Sequence, residues 1–437
     1  MSHKYIKYTN TFDREGSTLA VMDDLQFVVH TYDGCGKGCP GCLVDKHFKN
    51  KKRFQGILSD TQLDTINFRV QEYYTWVKEN INTKKSGYFH TGGHQVNHHS
   101  YTMRFGNHGE LPYEELKNIA TRLKSEYYVW SVAPVAIEQL DKFVKLKEEV
   151  PGNYFLEIIY DPCIDDPQFI ADMIKFMDDN GFKGYPEVLI TRKLLNMYSG
   201  KEFVHKCLLP FGHTGTQLQL GRYSPSKTRN FIQTQMVPLD EEVEWMAEMS
   251  REILKLNLEI HPIPIAEYAV TLLDDYEEIN YLTESGDVKV KELPPLDFDI
   301  NIVKELTRDI FITSLYIDHN LDLYLWSESM GQHVLDNNLG FSPLGNIQDK
   351  EISEILFEEG NKVEVLLNDS IKDLLVNPKC SPCRYKSFCA SHAITLFRNW
   401  HKDNGKHCYG YLPVIREFQK NKAFLDHMIQ GFKDLNF

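Results

Sequence analysis

Residues 25–42 read Leu-Gln-Phe-Val-Val-His-Thr-Tyr-Asp-Gly-Cys-Gly-Lys-Gly-Cys-Pro-Gly-Cys. The first six residues form a mainly apolar run that predicts a buried β-strand, and three cysteines follow in a short loop. Cys35, Cys39 and Cys42 therefore project from the carboxyl end of a strand, where α/β proteins place their chemistry. Three thiolates can hold three irons of a four-iron cluster and leave the fourth iron open.

Apolar segments of similar length recur through the first 260 residues, with helical patterns between them. This alternation predicts an α/β fold in which repeated β/α units build a parallel sheet. The predicted strands span residues 25–30, 87–91, 127–132, 154–160, 187–191 and 216–221, with a candidate seventh at 258–261. The predicted helices between them span residues 61–82, 116–123, 137–150, 169–177 and 241–256.

The alternation of predicted strands and helices ends after residue 265, and an acidic stretch that contains Pro294 and Pro295 follows. Two apolar segments, 312–317 and 321–326, then flank Asp318-His319-Asn320 and predict a β-hairpin. We predict four parts of the chain: an N-terminal extension (1–24), the β/α domain (25–272, with an insertion at about 46–85), an acidic linker (273–305) and a small α+β domain (306–437).

Composition excludes several classes of protein. The 437 residues are 42% hydrophobic, enough for more than one core. The 48 basic and 62 acidic residues give a net charge of -14, which argues against a nucleic-acid-binding protein. No apolar run approaches the roughly 18 residues that a membrane span needs, and the N-terminus is polar. We expect a cytoplasmic protein with no membrane and no nucleic-acid partner.

Seven of the nine cysteines fall into two groups separated by more than 300 residues. Grouped thiols in a reducing compartment serve metals or redox chemistry more often than disulfides. The second group, Cys380, Cys383, Cys389 and Cys408, supplies four thiols, enough to ligate a complete cluster. A structural zinc site on the same four thiols is the alternative.

The spacing C-x3-C-x2-C after a first strand resembles the signature of the radical S-adenosylmethionine (AdoMet) enzymes. The resemblance implies a partial (β/α)6 TIM-like barrel and a [4Fe-4S] cluster whose open iron binds AdoMet. In that family, reduction of the cluster cleaves AdoMet to a 5′-deoxyadenosyl radical, which abstracts a hydrogen atom from the substrate. A zinc knuckle completed by His47 is the alternative for Cys35, Cys39 and Cys42.

The resemblance also implies residues that contact AdoMet. The family's second-strand motif is Gly-Gly-Glu, and Gly92-Gly93-His94 follows the predicted second strand here. An aromatic residue usually precedes the third cysteine, where this chain has Gly41. Polar residues at the ends of the fourth to sixth strands give the further candidates Glu157, Asp161, Arg192 and Arg222. Cys163, just past the fourth strand, is a candidate hydrogen-atom donor, and a small buried thiol is the alternative reading.

The run C-x2-C-x5-C with a later cysteine resembles one half of the SPASM domain, found carboxyl-terminal in many peptide-modifying radical enzymes. Two cysteine positions of that domain are occupied by about Trp326 and Ala393 here. We therefore predict one auxiliary [4Fe-4S] cluster, on Cys380, Cys383, Cys389 and Cys408.

The resemblance implies an enzyme that modifies a ribosomally made peptide or a protein side chain, with a flavodoxin or ferredoxin as reductant. A radical enzyme acting on a small metabolite or nucleoside is the first alternative. A non-catalytic metal-binding adaptor is the second, because Gly41 and His94 depart from the family pattern.

Overall fold

The computed structural model describes residues 24–32, 34–35, 37, 56–80, 98–104, 106–222, 234–235, 237–263, 314–325 and 343–357. Its strands are β1 (Asp24–Val29), β2 (His98–Met103), β3 (Tyr127–Val132), β4 (Asn153–Tyr160), β5 (Lys183–Ile190), β6 (Thr216–Arg222), β7 (Ile260–Ile263), β8 (Ser314–Ile317), β9 (Asp322–Leu325) and β10 (Gly345–Asn346). Its helices are α1 (Asp60–Asn80), α2 (Tyr113–Arg122), α3 (Asp141–Glu149), α4 (Pro167–Asp179), α5 (Arg192–Met197), α6 (Gly200–Phe203), α7 (Leu239–Lys255) and α8 (Ile352–Phe357).

The strands form one sheet of ten in the order β10-β9-β8-β1-β2-β3-β4-β5-β6-β7. Strands β1 to β7 are parallel neighbours in chain order, with helices in the connections. This is the mixed α/β arrangement of a partial TIM-like barrel, as the sequence predicts. All seven carboxyl ends consequently meet at one edge of the sheet.

The predicted C-terminal hairpin is confirmed, because β8 and β9 pair antiparallel across Asp318-His319-Asn320. Strand β8 also pairs parallel with β1, so the hairpin continues the barrel sheet. The predicted linker (273–305) lies outside the described residues, and the domain boundaries stay a prediction.

The second strand differs from the prediction. Segment 87–91 lies outside the described residues, and the strand between β1 and β3 is β2, where Phe27 pairs with Tyr101. The six residues of β2 are His-His-Ser-Tyr-Thr-Met, too polar to stand out as a buried strand in the sequence. Alternation explains their burial: Tyr101 and Met103 face the helices, whereas Ser100 and Thr102 face the opposite side.

Helix α1 shows how the helices cover one face of the sheet. Its buried residues follow three- and four-residue steps, as the sequence predicts, and are Leu63, Ile66, Val70, Tyr73 and Val77. Tyr73 meets Phe27 of β1 edge to face, with ring centroids 6.3 Å apart. Each such side chain contributes about 1.5–3 kcal/mol when fully buried. The helix-covered face is thus the apolar core of the domain.

The opposite face, which we call the inner face, carries polar side chains on several strands, together with apolar ones such as Val28 and Ile159. Gln26 donates from its amide nitrogen to the Thr102 hydroxyl at 3.2 Å. Ser131, Glu157 and Tyr185 share one register level on β3, β4 and β5. Polar side chains set among apolar ones in this way suit a ligand site rather than a packed core.

Within the described residues, no helix combines the length and hydrophobicity that crossing a bilayer would require.

Candidate functional site

The cysteine loop begins at the carboxyl end of β1 and is fixed by hydrogen bonds to two other segments. The amide of Leu58 donates to the Thr31 carbonyl at 3.1 Å, and the amide of Asn107 donates to the Gly34 carbonyl at 2.8 Å. Cys35, the next residue, is exposed at this edge. Cys39 and Cys42 lie outside the described residues.

Gly106 allows the loops after β1 and β2 to approach each other closely, and Gly34 leaves room for a side chain of its own loop. A Cβ atom at Gly106 would collide with the carbonyl oxygen of Tyr32, and one at Gly34 would collide with the Tyr32 ring. Backbone contact of this kind requires glycine. The loop that carries Cys35 is therefore packed against the second strand's loop.

That second loop, residues 104–110, follows β2 in the structure. The sequence instead predicts that Gly92-Gly93-His94 follow the second strand. Those three residues lie outside the described residues, and their role stays a prediction. In the loop, Asn107 accepts through Oδ1 from the amides of Gly109 (3.1 Å) and Ala133 (2.9 Å).

His108 ties the same loop to the cysteine loop. Its Nε2 lies 2.8 Å from the Thr31 hydroxyl, and its Nδ1 lies 3.1 Å from the Ser131 carbonyl. Burial lowers the pKa of His108 to about 4, so the ring is neutral at physiological pH. His108 is not among the site residues that the sequence predicts. Its place shortly after the end of β2 would have indicated it, but the sequence does not reveal β2 as a strand.

His30, the first residue after β1, faces the C-terminal hairpin. Tyr316 of β8 places its hydroxyl 3.4 Å from His30 Nδ1, and the rings of His30 and His319 meet edge to face. Burial first, and then His319 and His108, lower the pKa of His30 to about 3. The hairpin thus contacts the start of the cysteine loop through aromatic side chains.

Glu157 lies on the inner face of β4, completely buried, at the centre of a polar network. The Arg104 guanidinium forms an ion pair with Glu157, and a second carboxylate, Glu187, lies 3.9 Å from the same nitrogen. The hydroxyls of Ser131 and Tyr185 also donate to Glu157, the latter at 3.3 Å. Three donors therefore satisfy this carboxylate, as a buried charge requires.

The turn after β4 carries two of the predicted residues. Asp161 is half-buried and accepts from the amide of Cys163 at 3.0 Å. The same turn contains Asp165, whose carboxylate is 2.5 Å from the ammonium of Lys37. Lys37 belongs to the cysteine loop, so the structure brings this loop and the Cys163 turn together.

The other two candidates lie elsewhere on the same edge. The guanidinium of Arg192, in the first turn of α5, donates to Glu241 of α7 at 2.5 Å. Arg222 ends β6, where its backbone pairs with that of Ile190. The structure therefore joins Arg192 to a neighbouring helix rather than to Glu157 or Asp161.

Two consecutive histidines begin strand β2. His98 and His99 are consecutive in β2 and point to opposite faces. His99 Nε2 lies 3.0 Å from the Lys124 carbonyl and 2.9 Å from the Gln71 amide nitrogen. No group of three or more metal-binding side chains occurs in the part of the chain that the structure describes.

Burial disfavours the thiolate form of both Cys163 and Cys207. Burial, followed by the charge of Asp161, raises the pKa of Cys163 to about 11. Burial also raises the pKa of Cys207 to about 11. Both side chains therefore keep their S–H hydrogen at neutral pH.

We expect iodoacetamide to alkylate Cys163 and Cys207 slowly at pH 8 and much faster as pH rises through about 10 to 11, because the thiolate is the nucleophile. Peptide mass spectrometry across this pH range measures the rates. The denatured chain is the control, in which both cysteines should follow an ordinary thiol pKa of about 8.5. A midpoint near that value in the folded protein would contradict the assignment.

Solved structures with this architecture exist. Native anSMEcpe with bound AdoMet matches with a TM-score of 0.54 at 13% sequence identity, over 94% of this chain and 100% of that chain. The chain has the fold of anSMEcpe. That protein is an anaerobic sulfatase-maturating enzyme, a radical AdoMet enzyme with a SPASM domain.

Two further structures of the same enzyme match equally well. Native anSMEcpe with bound AdoMet and Cp18Cys peptide gives a TM-score of 0.53 at 14% identity, over 94% of this chain and 99% of that chain. The corresponding structure with Kp18Cys peptide gives 0.53 at 12% identity, over 94% and 100%. No protein-family model and no curated protein sequence matches the chain. The comparison with solved structures thus confirms the expected fold, although the comparisons of sequence find no match.

The described part of the cysteine loop fits a thiolate-ligated cluster. Cys35 is exposed at the strand edge, in a loop that neighbouring segments hold in place. Gly106 brings the backbone of the second loop against the Tyr32 carbonyl, and Gly34 leaves room beside Cys35 for the Tyr32 ring. Soft thiolate donors on a fixed, glycine-rich loop are the ligands that iron–sulfur clusters use.

Proposed function

We propose that this protein is a radical AdoMet enzyme in which Cys35, Cys39 and Cys42 hold a [4Fe-4S] cluster with one open iron. The observation that carries the proposal is the position of Cys35. Its thiol is exposed at the carboxyl end of β1, in a fold shared with anSMEcpe, whose structure contains AdoMet. A zinc knuckle would explain the thiols but not the parallel sheet behind them.

When bound, the cluster and AdoMet supply a 5′-deoxyadenosyl radical that can abstract a hydrogen atom. The chain's own residues hold and line the site. Asp161 is the first candidate for a contact with the AdoMet ribose, because its carboxylate is half-buried at the strand edge. Glu157 ranks behind it, since three donors already engage its carboxylate. Arg222 remains a candidate by position, whereas Gly92-Gly93-His94, which precede β2 in the chain, remain candidates only through their resemblance to the Gly-Gly-Glu motif.

Cys163 supports a role as hydrogen-atom donor through its protonation state. A donor must carry an S–H bond, and the pKa of about 11 preserves that bond at neutral pH. Its turn is joined to the cysteine loop through Asp165 and Lys37. We therefore expect Cys163→Ala to leave AdoMet cleavage intact while it prevents turnover of the substrate radical to product.

We infer that the substrate is a peptide or a protein side chain, with a small metabolite or nucleoside as the alternative. Two structures that share this fold contain a bound peptide as well as AdoMet, which supports the peptide. We further infer that Cys380, Cys383, Cys389 and Cys408 hold one auxiliary cluster and that a flavodoxin or ferredoxin in the cytoplasm supplies the electron.

The test is formation of 5′-deoxyadenosine. We expect protein reconstituted without oxygen to release 5′-deoxyadenosine and methionine when given AdoMet and dithionite, as measured by chromatography and mass spectrometry. Protein that holds iron but releases neither would instead be the non-catalytic adaptor. Deuterium transfer from a labelled peptide pool into 5′-deoxyadenosine would favour the peptide, and transfer from a labelled metabolite pool would favour the alternative.

A further inference from the structure

Lys37 is the central residue of Cys35-Gly-Lys-Gly-Cys39, and its side chain is almost completely buried. Its ammonium donates to the Ile159 carbonyl at 2.6 Å and pairs with Asp165 at 2.5 Å. The side chains of Lys37 and Asp165 are only 7% and 10% exposed. A buried ammonium is stable only where a partner charge and further hydrogen bonds replace water, and both are present here.

Asp165 is itself held rigidly in the turn after β4. Its carboxylate accepts from the amide of Asp161 at 2.7 Å, and its own amide donates to the Asp161 carbonyl at 2.9 Å. Asp161 in turn accepts from the amide of Cys163. The ion pair therefore ends on a turn that is already fixed by three hydrogen bonds.

The pair attaches the cysteine loop at a point that the backbone hydrogen bonds do not reach. Thr31 and Gly34 precede Cys35, and their carbonyls fix the start of the loop. Lys37 lies between the first and second cysteines and contacts residues more than 120 positions away along the chain. Glycine, which has no side chain, flanks Lys37 on both sides in the sequence. Of these three residues, only Lys37 can attach the loop to the rest of the protein through a side chain.

We propose that Lys37 and Asp165 form a positioning pair, which holds the segment between Cys35 and Cys39 against the carboxyl end of β4 and so fixes the cluster loop relative to the Cys163 turn. This inference rests on the proposed function, because it concerns the cluster that the loop would bind. Neither residue is a catalytic residue or a ligand in this proposal.

The experiment compares cluster stability in reconstituted full-length protein carrying Lys37→Met, Asp165→Asn, both changes, or Lys37→Arg. An electron paramagnetic resonance signal that changes on addition of AdoMet identifies the open-iron cluster in the reduced protein. The rate at which a chelator removes that signal measures how well the loop holds the iron. Lys175→Met is the matched control, because Lys175 forms an exposed pair with Asp179 on α4.

We expect Lys37→Met and Asp165→Asn each to accelerate iron loss by about tenfold or more, the scale seen when residues behind metal ligands are removed. The double variant should be no worse than either single variant, since both remove one interaction. Lys37→Arg keeps the charge and should restore much of the wild-type rate, a rescue that a general packing defect would not show. Lys175→Met should behave as wild type.

Two results would overturn the proposal, and they differ. If the wild-type protein shows the AdoMet-sensitive signal and Lys37→Met loses iron at the wild-type rate, the positioning pair is wrong and the proposed function stands. If the wild-type protein shows no such signal, the proposed function fails and this inference fails with it.

Discussion

Alanine at positions 35, 39 and 42 is expected to remove about four of about eight irons per chain and to abolish formation of 5′-deoxyadenosine. Alanine has no donor atom, and an open-iron cluster has only these three protein ligands. The four thiols of the second group are more than 300 residues away and should keep their own cluster. Iron and acid-labile sulfide assays, together with product analysis, measure both effects.

Cys207→Ala is the matched control, because it removes a thiol that lies in the barrel but not in the cysteine loop. Cys207 is buried beside Tyr160, whose hydroxyl donates to the Cys207 carbonyl at 3.2 Å. A backbone acceptor survives the substitution, so iron content and cleavage should not change. Cleavage that persisted in the triple variant would contradict the central proposal. If the remaining metal were zinc, the second site would be structural.

The parts of the fold that could be predicted are those with a strong hydrophobic period. Helix α1 and strand β3 follow their apolar patterns closely, and the hairpin is marked by apolar runs around Asp318-His319-Asn320. Strand β2 was missed because half of its side chains face the polar interior. Strands that place polar side chains on the inner face of a barrel lack a clear apolar pattern, so they are difficult to predict from the sequence.

The residues of the site could be predicted only where those that act together lie close to one another in the sequence. Three cysteines within eight residues indicate a metal whatever the tertiary structure. Lys37 appears between two of them as an ordinary charged residue, and its partner Asp165 is 128 positions away. Glu157 could be named as a candidate from its place on the fourth strand, but the sequence could not reveal that its partner is Arg104. Pairings of this kind depend on register between strands, which the sequence alone does not give.

The second large effect is expected from Arg104→Met, which should destabilise the fold by about 3–5 kcal/mol, the usual cost of leaving a buried charge without its partner. Glu157 is completely inaccessible, and Ser131 and Tyr185 can donate hydrogen bonds to it but carry no charge. Methionine has a similar length and no charge, so the loss is mainly electrostatic. The thermal midpoint of the reconstituted protein should fall by roughly 3–5 °C.

Arg122→Met supplies the control, because Arg122 also pairs with two carboxylates, Asp60 and Asp64, but at the surface. Exposed pairs contribute about 0–1 kcal/mol, so its midpoint should shift by about 1 °C or less. Glu157→Gln added to Arg104→Met should recover part of the lost stability, since a neutral amide needs no counter-charge. Equal midpoints for the two arginine variants would show that the Arg104 pair is no more important to the fold than a surface contact, and that Glu157 is stabilised by hydrogen bonds alone.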